Sequence, residues 1–137
     1  MKTLTLEYLA PYLPYGIKCL TYNNQIEYIS LEPMPDPDYI CVSDFLKNTN
    51  FKLILRPLSD LDKPLIGINE PNFKPSSRYD LRFYDGEWCE EYYAEYGETP
   101  IAYIPVGGYN SWPFKYHFDV FGLISQGLAV DINTLTP

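Results

Sequence analysis

Asp85-Gly86-Glu87-Trp88-Cys89-Glu90-Glu91-Tyr92-Tyr93-Ala94-Glu95-Tyr96-Gly97-Glu98 contains six carboxylates, no Lys or Arg and four large aromatics. Asp85-Gly86 can open a tight hairpin or precede a helix, and the choice decides how the acids are displayed. Wound at about 100° per residue, the segment sorts into two sides. Glu87, Glu90, Glu91, Glu95 and Glu98 fall on one, and Trp88, Cys89, Tyr92, Tyr93 and Tyr96 on the other. A strand mixes the two sets. The spacing therefore predicts a helix from Glu87 to Tyr96, with Asp85 as cap, early acids at the positive end of the dipole and Gly97 as the stop.

Working outward, the 137 residues are enough for one domain with a core and few for two. The expectation is a single α+β domain over residues 1–137, a small mixed or antiparallel sheet packed on a C-terminal helix. Apolar residues at 46% and charged ones at 20% are globular proportions, and the 14 tyrosines call for many half-buried positions.

Upstream, Leu6, Leu9 and Leu13 recur at helical spacing, predicting a helix over Thr5–Tyr12 that Pro14 and Gly16 end. Ile17–Tyr22 and Gln25–Leu31 flank Asn23-Asn24 as a hairpin. The three prolines of Glu32–Asp38 impose an extended connector. Ser43 or Asp44 can cap a short helix carrying Phe45 and Leu46, Phe51–Leu55 is a buried strand closed by Arg56-Pro57, and Ser59–Asp62 is a single turn. Residues 63–78, rich in Pro and Ser, form an irregular and mobile surface segment. Tyr79, Leu81 and Phe83 alternate with Arg78, Asp80 and Arg82 as a half-buried strand.

Downstream, Ile101–Val106 is a strand that Pro105 restricts to an edge or an end. Phe114, Phe118, Phe121 and Ile124 align along a helix from Ser111 to Gln126, with Gly127 in the left-handed terminal position and Leu128 folding back. Leu128–Ile132 adds a short strand.

A net charge of -8 and scattered cations disfavour direct binding to nucleic acid or an anionic membrane, since phosphates require clustered Lys and Arg. Glu7, Pro11 and Pro14 interrupt any signal-peptide core, and no apolar run is long enough to span a bilayer. Cys19, Cys41 and Cys89, odd in number and widely spaced, fit reduced thiols in a cytoplasmic protein.

Chemistry-bearing motifs are sparse. His117, the one histidine, lies next but one to Asp119, and neighbours at that spacing on a helix point apart, so a core-edge role outweighs catalysis or a metal site. Asp36/Asp38 and Asp60/Asp62 have D-x-D spacing without the remainder of a calcium loop. Gly107-Gly108 lacks the Gly-Lys and hydroxyl of a phosphate loop. No cofactor is indicated. The acidic helix side reads most plainly as solvated surface. Its sharper reading is a contact for a basic protein, with Glu87, Glu91, Glu95 and Tyr92 carrying it.

Leu9-Ala10-Pro11-Tyr12-Leu13-Pro14-Tyr15-Gly16-Ile17-Lys18, Leu53 through Leu61 (LILRPLSDL) and His117 through Asn133 (HFDVFGLI, then GLAVDIN) resemble a family of small proteins from gut bacteria of the Bacteroides group and their phages. The resemblance brings no activity, ligand or catalytic residue. It implies a phage or mobile-element context, hence a non-enzymatic accessory protein that binds a host protein. The alternatives are a small hydrolase-like enzyme using His117 or an Asp as acid or base, and a structural or assembly protein of a phage.

Overall fold

The structure is a computed structural model that describes residues 4–21, 24–32, 35, 38–47, 50–65, 68, 70, 72–108 and 110–135. Along the chain run α1 (Leu6–Leu9), a 3-10 turn (Ala10–Tyr15), β1 (Lys18–Leu20), β2 (Ile26–Ser30), β3 (Tyr39–Cys41), α2 (Val42–Lys47) and β4 (Lys52–Leu55). A second 3-10 turn (Leu58–Asp62), α3 (Pro75–Arg78), β5 (Leu81–Tyr84), β6 (Glu87–Tyr93) and β7 (Pro100–Pro105) follow. α4 (Trp112–Lys115), β8 (Ala129–Asp131) and a last 3-10 turn (Ile132–Thr134) complete the chain. It is an α+β protein. The chain forms two compact units, Met1–Arg56 with Trp112–Pro137, and Pro57–Ser111.

The first unit holds a mixed sheet in the order β3-β2-β1-β4-β8. β1 runs antiparallel to β2 and β4, while β2 with β3 and β4 with β8 are parallel. The expected hairpin thus forms, and Asn24 takes a left-handed φ of 59° at its turn. Tyr22 and Asn23 lie outside the described residues, as does most of the proline connector. Alternation turns Cys19, Ile29, Leu53, Leu55 and Ala129 to one face, each at most 5% exposed. Leu9, Tyr12, Phe45, Phe114 and Leu123 pack on that face, with the Tyr12 ring edge-on to Phe114 at 5.1 Å.

The expected helix from Ser111 to Gln126 is corrected: helix persists only over Trp112–Lys115. His117 takes a left-handed φ of 62°. Its N–H donates to Phe114 O, and the Phe118 N–H donates to Pro113 O, the pair of bonds that closes a Schellman helix end. Phe118 then bridges to Arg56 in parallel sense. The Arg56 N–H donates to His117 O (2.7 Å) and the Asp119 N–H to Arg56 O (2.8 Å). Tertiary backbone pairing thereby overrides a helical period that was correctly spaced. Gly122, at φ 69°, interrupts the segment again.

Asp119 sits 6% exposed, and its carboxylate accepts the N–H groups of Leu123 (2.7 Å) and Ile124 (2.9 Å). The single turn it caps ends as expected. Gly127 is left-handed, and the Leu128 N–H reaches back to Leu123 O. The Tyr12 hydroxyl donates to Phe118 O and accepts from the Val120 N–H at 3.3 Å. Among the described residues, no buried side-chain nitrogen or oxygen lacks a partner.

In the second unit, Leu61, Leu65, Phe73 and Pro75 are buried. Arg78 lies over Phe73 and pairs with Glu70, and the Tyr79 ring stands edge-on to Phe73 at 6.5 Å. Residues 63–78 are thus not wholly irregular, since α3 occupies their end. Residues 66, 67, 69 and 71 lie outside the described set. The strand expected near Tyr79–Phe83 forms as β5, and β5-β6-β7 make an antiparallel three-stranded sheet.

Asp119→Ala removes the acceptor for two amides, one of them buried, and should cost about 1–3 kcal/mol of stability. A lowered midpoint in urea at unchanged slope would register this loss, and Asp119→Asn, which keeps one acceptor oxygen, should lie between the two.

Candidate binding face

The acidic segment is a strand, and this corrects the helix expected over Glu87–Tyr96. Asp85 (φ 52°) and Gly86 (φ 83°) both occupy the left-handed region, as a two-residue type I′ hairpin turn requires. That turn's twist matches its strands, so β5 and β6 pair Tyr84 with Glu87 directly across it. A helix over 87–96 would satisfy its own amides. The strand instead satisfies them on both sides, from β5 and from β7.

With a period of two, the residues divide differently. Glu87, Cys89 and Glu91 share a face with Arg82, Tyr84 and Tyr103, while Trp88, Glu90 and Tyr92 share the other with Phe83 and Ile104. A register shift separates Tyr92 from Tyr93. The four residues expected to form one contact are therefore dispersed. Glu87 and Glu91 remain together, Tyr92 lies on the opposite face, and Glu95 falls in the β6–β7 connection.

On the first face, Tyr84 and Tyr103 stack at 4.6 Å with 12° between their planes. The register places Cys89 between them, and it is 3% exposed. Arg82 reaches Glu91 at 3.8 Å and stands 6.0 Å from the Tyr103 ring centre. Glu91, with only 15% of its side chain exposed, is therefore a tethered charge. Partial burial first, then the carboxylates of Glu91 and Asp80, hold the Tyr93 hydroxyl above its usual range. On the second face Phe83 meets Trp88 edge-on at 5.7 Å. Glu90, 6% exposed, accepts from Asn110 Nδ2 at 2.6 Å, and the same amide lies 3.3 Å from the Tyr92 hydroxyl.

The exposed acids that remain gather at the two ends of β6. Asp85 and Glu87 lie at the type I′ turn, and Glu95 and Glu98 lie beyond the other end. Between them the second unit exposes Phe83 (60%), Tyr84 (49%), Tyr93 (41%) and Ile101 (70%), with Tyr96 (96%) at the far turn. The sequence reading missed Tyr84, Tyr103 and Arg82. Asp-Gly after the alternating Leu81–Tyr84 was the signal that could have found them.

The candidate acid–base residue is His117. Its Nε2 meets the Tyr15 carbonyl at 2.7 Å, so that nitrogen carries the proton and donates. Burial first, and the charges of Arg56 and Lys18 after it, hold the imidazole below its ordinary value, against the opposing effect of the Tyr15 bond. Asp119, its neighbour but one, is committed to two backbone amides. The second D-x-D pair is also engaged. Asp60 faces Lys63 at 3.5 Å, and Asp62 accepts from Ser76 at 2.7 Å beside Lys74 at 3.6 Å. Asp36 lies outside the described residues. Cys19, Cys41 and Cys89 are free and buried, and burial above all pushes the Cys19 thiol up to about 12. No helix among the described residues is long and apolar enough to cross a membrane.

Comparison with known protein-family models, curated proteins and solved structures finds no match for this chain.

His117 gives a pH signature. Its folded value is depressed from the ordinary 6.5, so below that pH the unfolded chain binds more protons than the folded one. The stability that the neutral ring contributes is complete above about pH 6.5 and declines as pH falls from there toward the folded value. The denaturation midpoint should drop between about pH 7.5 and pH 5.5, before most carboxylates titrate. His117→Asn, which tolerates positive φ and does not titrate, should flatten that slope.

Proposed function

We propose that this protein is a non-enzymatic accessory factor that acts by binding another protein through the three-stranded sheet of its second unit. In the phage or mobile-element setting implied by the sequence resemblance, that partner is a host protein. The observation that carries the reading is the concentration of exposed rings on a small sheet. Five of the nine large hydrophobics exposed among the described residues, four of them aromatic if Phe83 is counted with Tyr84, Tyr93 and Tyr96, belong to residues 83–101. Phe83 and Tyr84 flank the sheet on opposite faces and Tyr96 stands at its far turn; burying such rings is favourable, and aromatic residues are enriched at interaction surfaces.

Charge selects the kind of partner. The second unit has ten carboxylates and four Lys or Arg, so most of the chain's net charge of -8 belongs to it. Exposed acids at both ends of β6 would steer a basic surface toward the rings and repel an acidic one. Desolvated rings supply the holding energy, because charge at the rim of an interface chiefly changes encounter rate.

Tyr84→Ala removes half of the stacked pair and should weaken capture of a specific basic partner about tenfold or more. Glu87→Gln should slow association a few-fold, with the difference vanishing in high salt. Both effects can be read by affinity capture followed by surface binding kinetics on the recovered protein. Undiminished capture by the Tyr84→Ala variant would exclude this face.

A further inference from the structure

We propose that the outer edge of β5 is a strand-addition site, which takes an extended segment of the partner bearing alternate basic and apolar residues as a fourth strand. The proposal rests on the reading of the second unit as a protein-binding element and specifies how that element binds.

Two backbone hydrogen bonds establish which groups face outward. The Glu91 N–H donates to Asp80 O at 2.8 Å, and the Val106 N–H donates to Trp88 O at 3.1 Å. In an antiparallel ladder bonded pairs alternate, so odd-numbered residues of β6 exchange bonds with β5 and even-numbered ones with β7. The register then makes Arg82–Cys89 and Tyr84–Glu87 bonded pairs. Leu81 and Phe83 consequently turn their N–H and C=O groups away from β6. β5 is the first strand of the sheet, so that side is an edge.

The two edges of the sheet are not alike. On β7 the same alternation turns Tyr103 and Pro105 outward, and Pro105 has no N–H to offer. A proline at an outward position is a usual guard against unwanted pairing. β5 has no proline, lysine or bulge, and its one cation, Arg82, is occupied by Glu91 and Tyr103. Phe83 and Tyr84, both exposed, project to opposite faces beside this edge. An added strand would lay its alternate side chains against each of them.

Charge decides between a second copy and a different protein. Pairing β5 with β5 would bring together two units of ten carboxylates and four cations, within the roughly 8–10 Å over which charges act in physiological salt. A basic strand gains where a copy loses. A Lys or Arg abreast of Tyr84 would lie beside Asp85 and Glu87, and an apolar residue abreast of Phe83 would join the Phe83–Trp88 pair.

The test uses the full chain, 15N-labelled, and a capped synthetic peptide of alternating lysine and valine. The expected result is new hydrogen-exchange protection at the Leu81 and Phe83 amides. Affinity should fall at least tenfold when the peptide's edge-facing amides are N-methylated, and glutamate in place of lysine should abolish binding. Phe83→Pro deletes an outward N–H without touching the β5–β6 ladder, and should lose the peptide while β6 keeps its native chemical shifts. Should that variant unfold, the N-methylated peptide decides with the protein unaltered. Equal affinity for the methylated and unmethylated peptides would overturn strand addition while leaving the protein-binding face in place. So would protection at Leu81 and Phe83 that appears without peptide and grows with protein concentration, which would mean self-pairing. Failure of the peptide to bind at all overturns the proposal, whereas Tyr84-independent partner capture overturns the broader reading.

Discussion

The Tyr12 hydroxyl joins the first 3-10 turn to the distant residues 118–120 of the same unit. It donates to Phe118 O and accepts from the Val120 N–H, while Arg56 exchanges two backbone bonds with the residues on either side of Phe118. Phe118 is fully buried, and at this depth an unpaired carbonyl would cost about 1–3 kcal/mol. Burial holds the Tyr12 hydroxyl above its usual range, so it stays protonated and keeps its role as a donor. The left-handed His117 leads the chain into this bridge, and the turn capped by Asp119 leads it out.

The same accounting of backbone groups governs the second unit with a different result. There the central strand is satisfied on both sides, the β7 edge is guarded by Pro105, and the β5 edge has only two outward residues to pair. Which of the segment's carboxylates stay exposed is largely set by where the strand ends. Glu90 and Glu91 are held by Asn110 and Arg82, whereas the acids beside the two turns remain in water. Tyrosine suits such a sheet because it can stack, cover a small residue such as Cys89, and keep its hydroxyl solvated.

Much of the sheet in the first unit was legible from residue order. Alternation at Ile17–Leu31, the apolar run Phe51–Leu55 and the short run after Gly127 each mark a strand because their side chains must reach one buried face. Leu6, Leu9 and the prolines after them marked a short helix that tightens into a 3-10 turn. The two long helices failed for a shared reason. A spacing that suits a helix describes where side chains could go, but it does not record competing partners for the backbone. Arg56 supplied such partners to His117 and Asp119, and β5 and β7 supplied them to β6.

The candidate face shows the same division. Residue order alone determined that residues 85–98 are acidic and aromatic, that Asp85-Gly86 must turn or cap, and that Pro105 belongs at an edge or an end. Tertiary structure decided which of these residues share a face. The side-chain period of a strand is two and that of a helix is 3.6, so hydrogen bonds to neighbouring strands reassigned Tyr92 and Glu95 away from Glu87 and Glu91 and brought Tyr84 and Tyr103 together. Those bonds join strands that are neighbours in the chain, so Asp85-Gly86 marks the first pairing locally, whereas the stacking of Tyr84 on Tyr103, from the two outer strands, arises only in the assembled sheet.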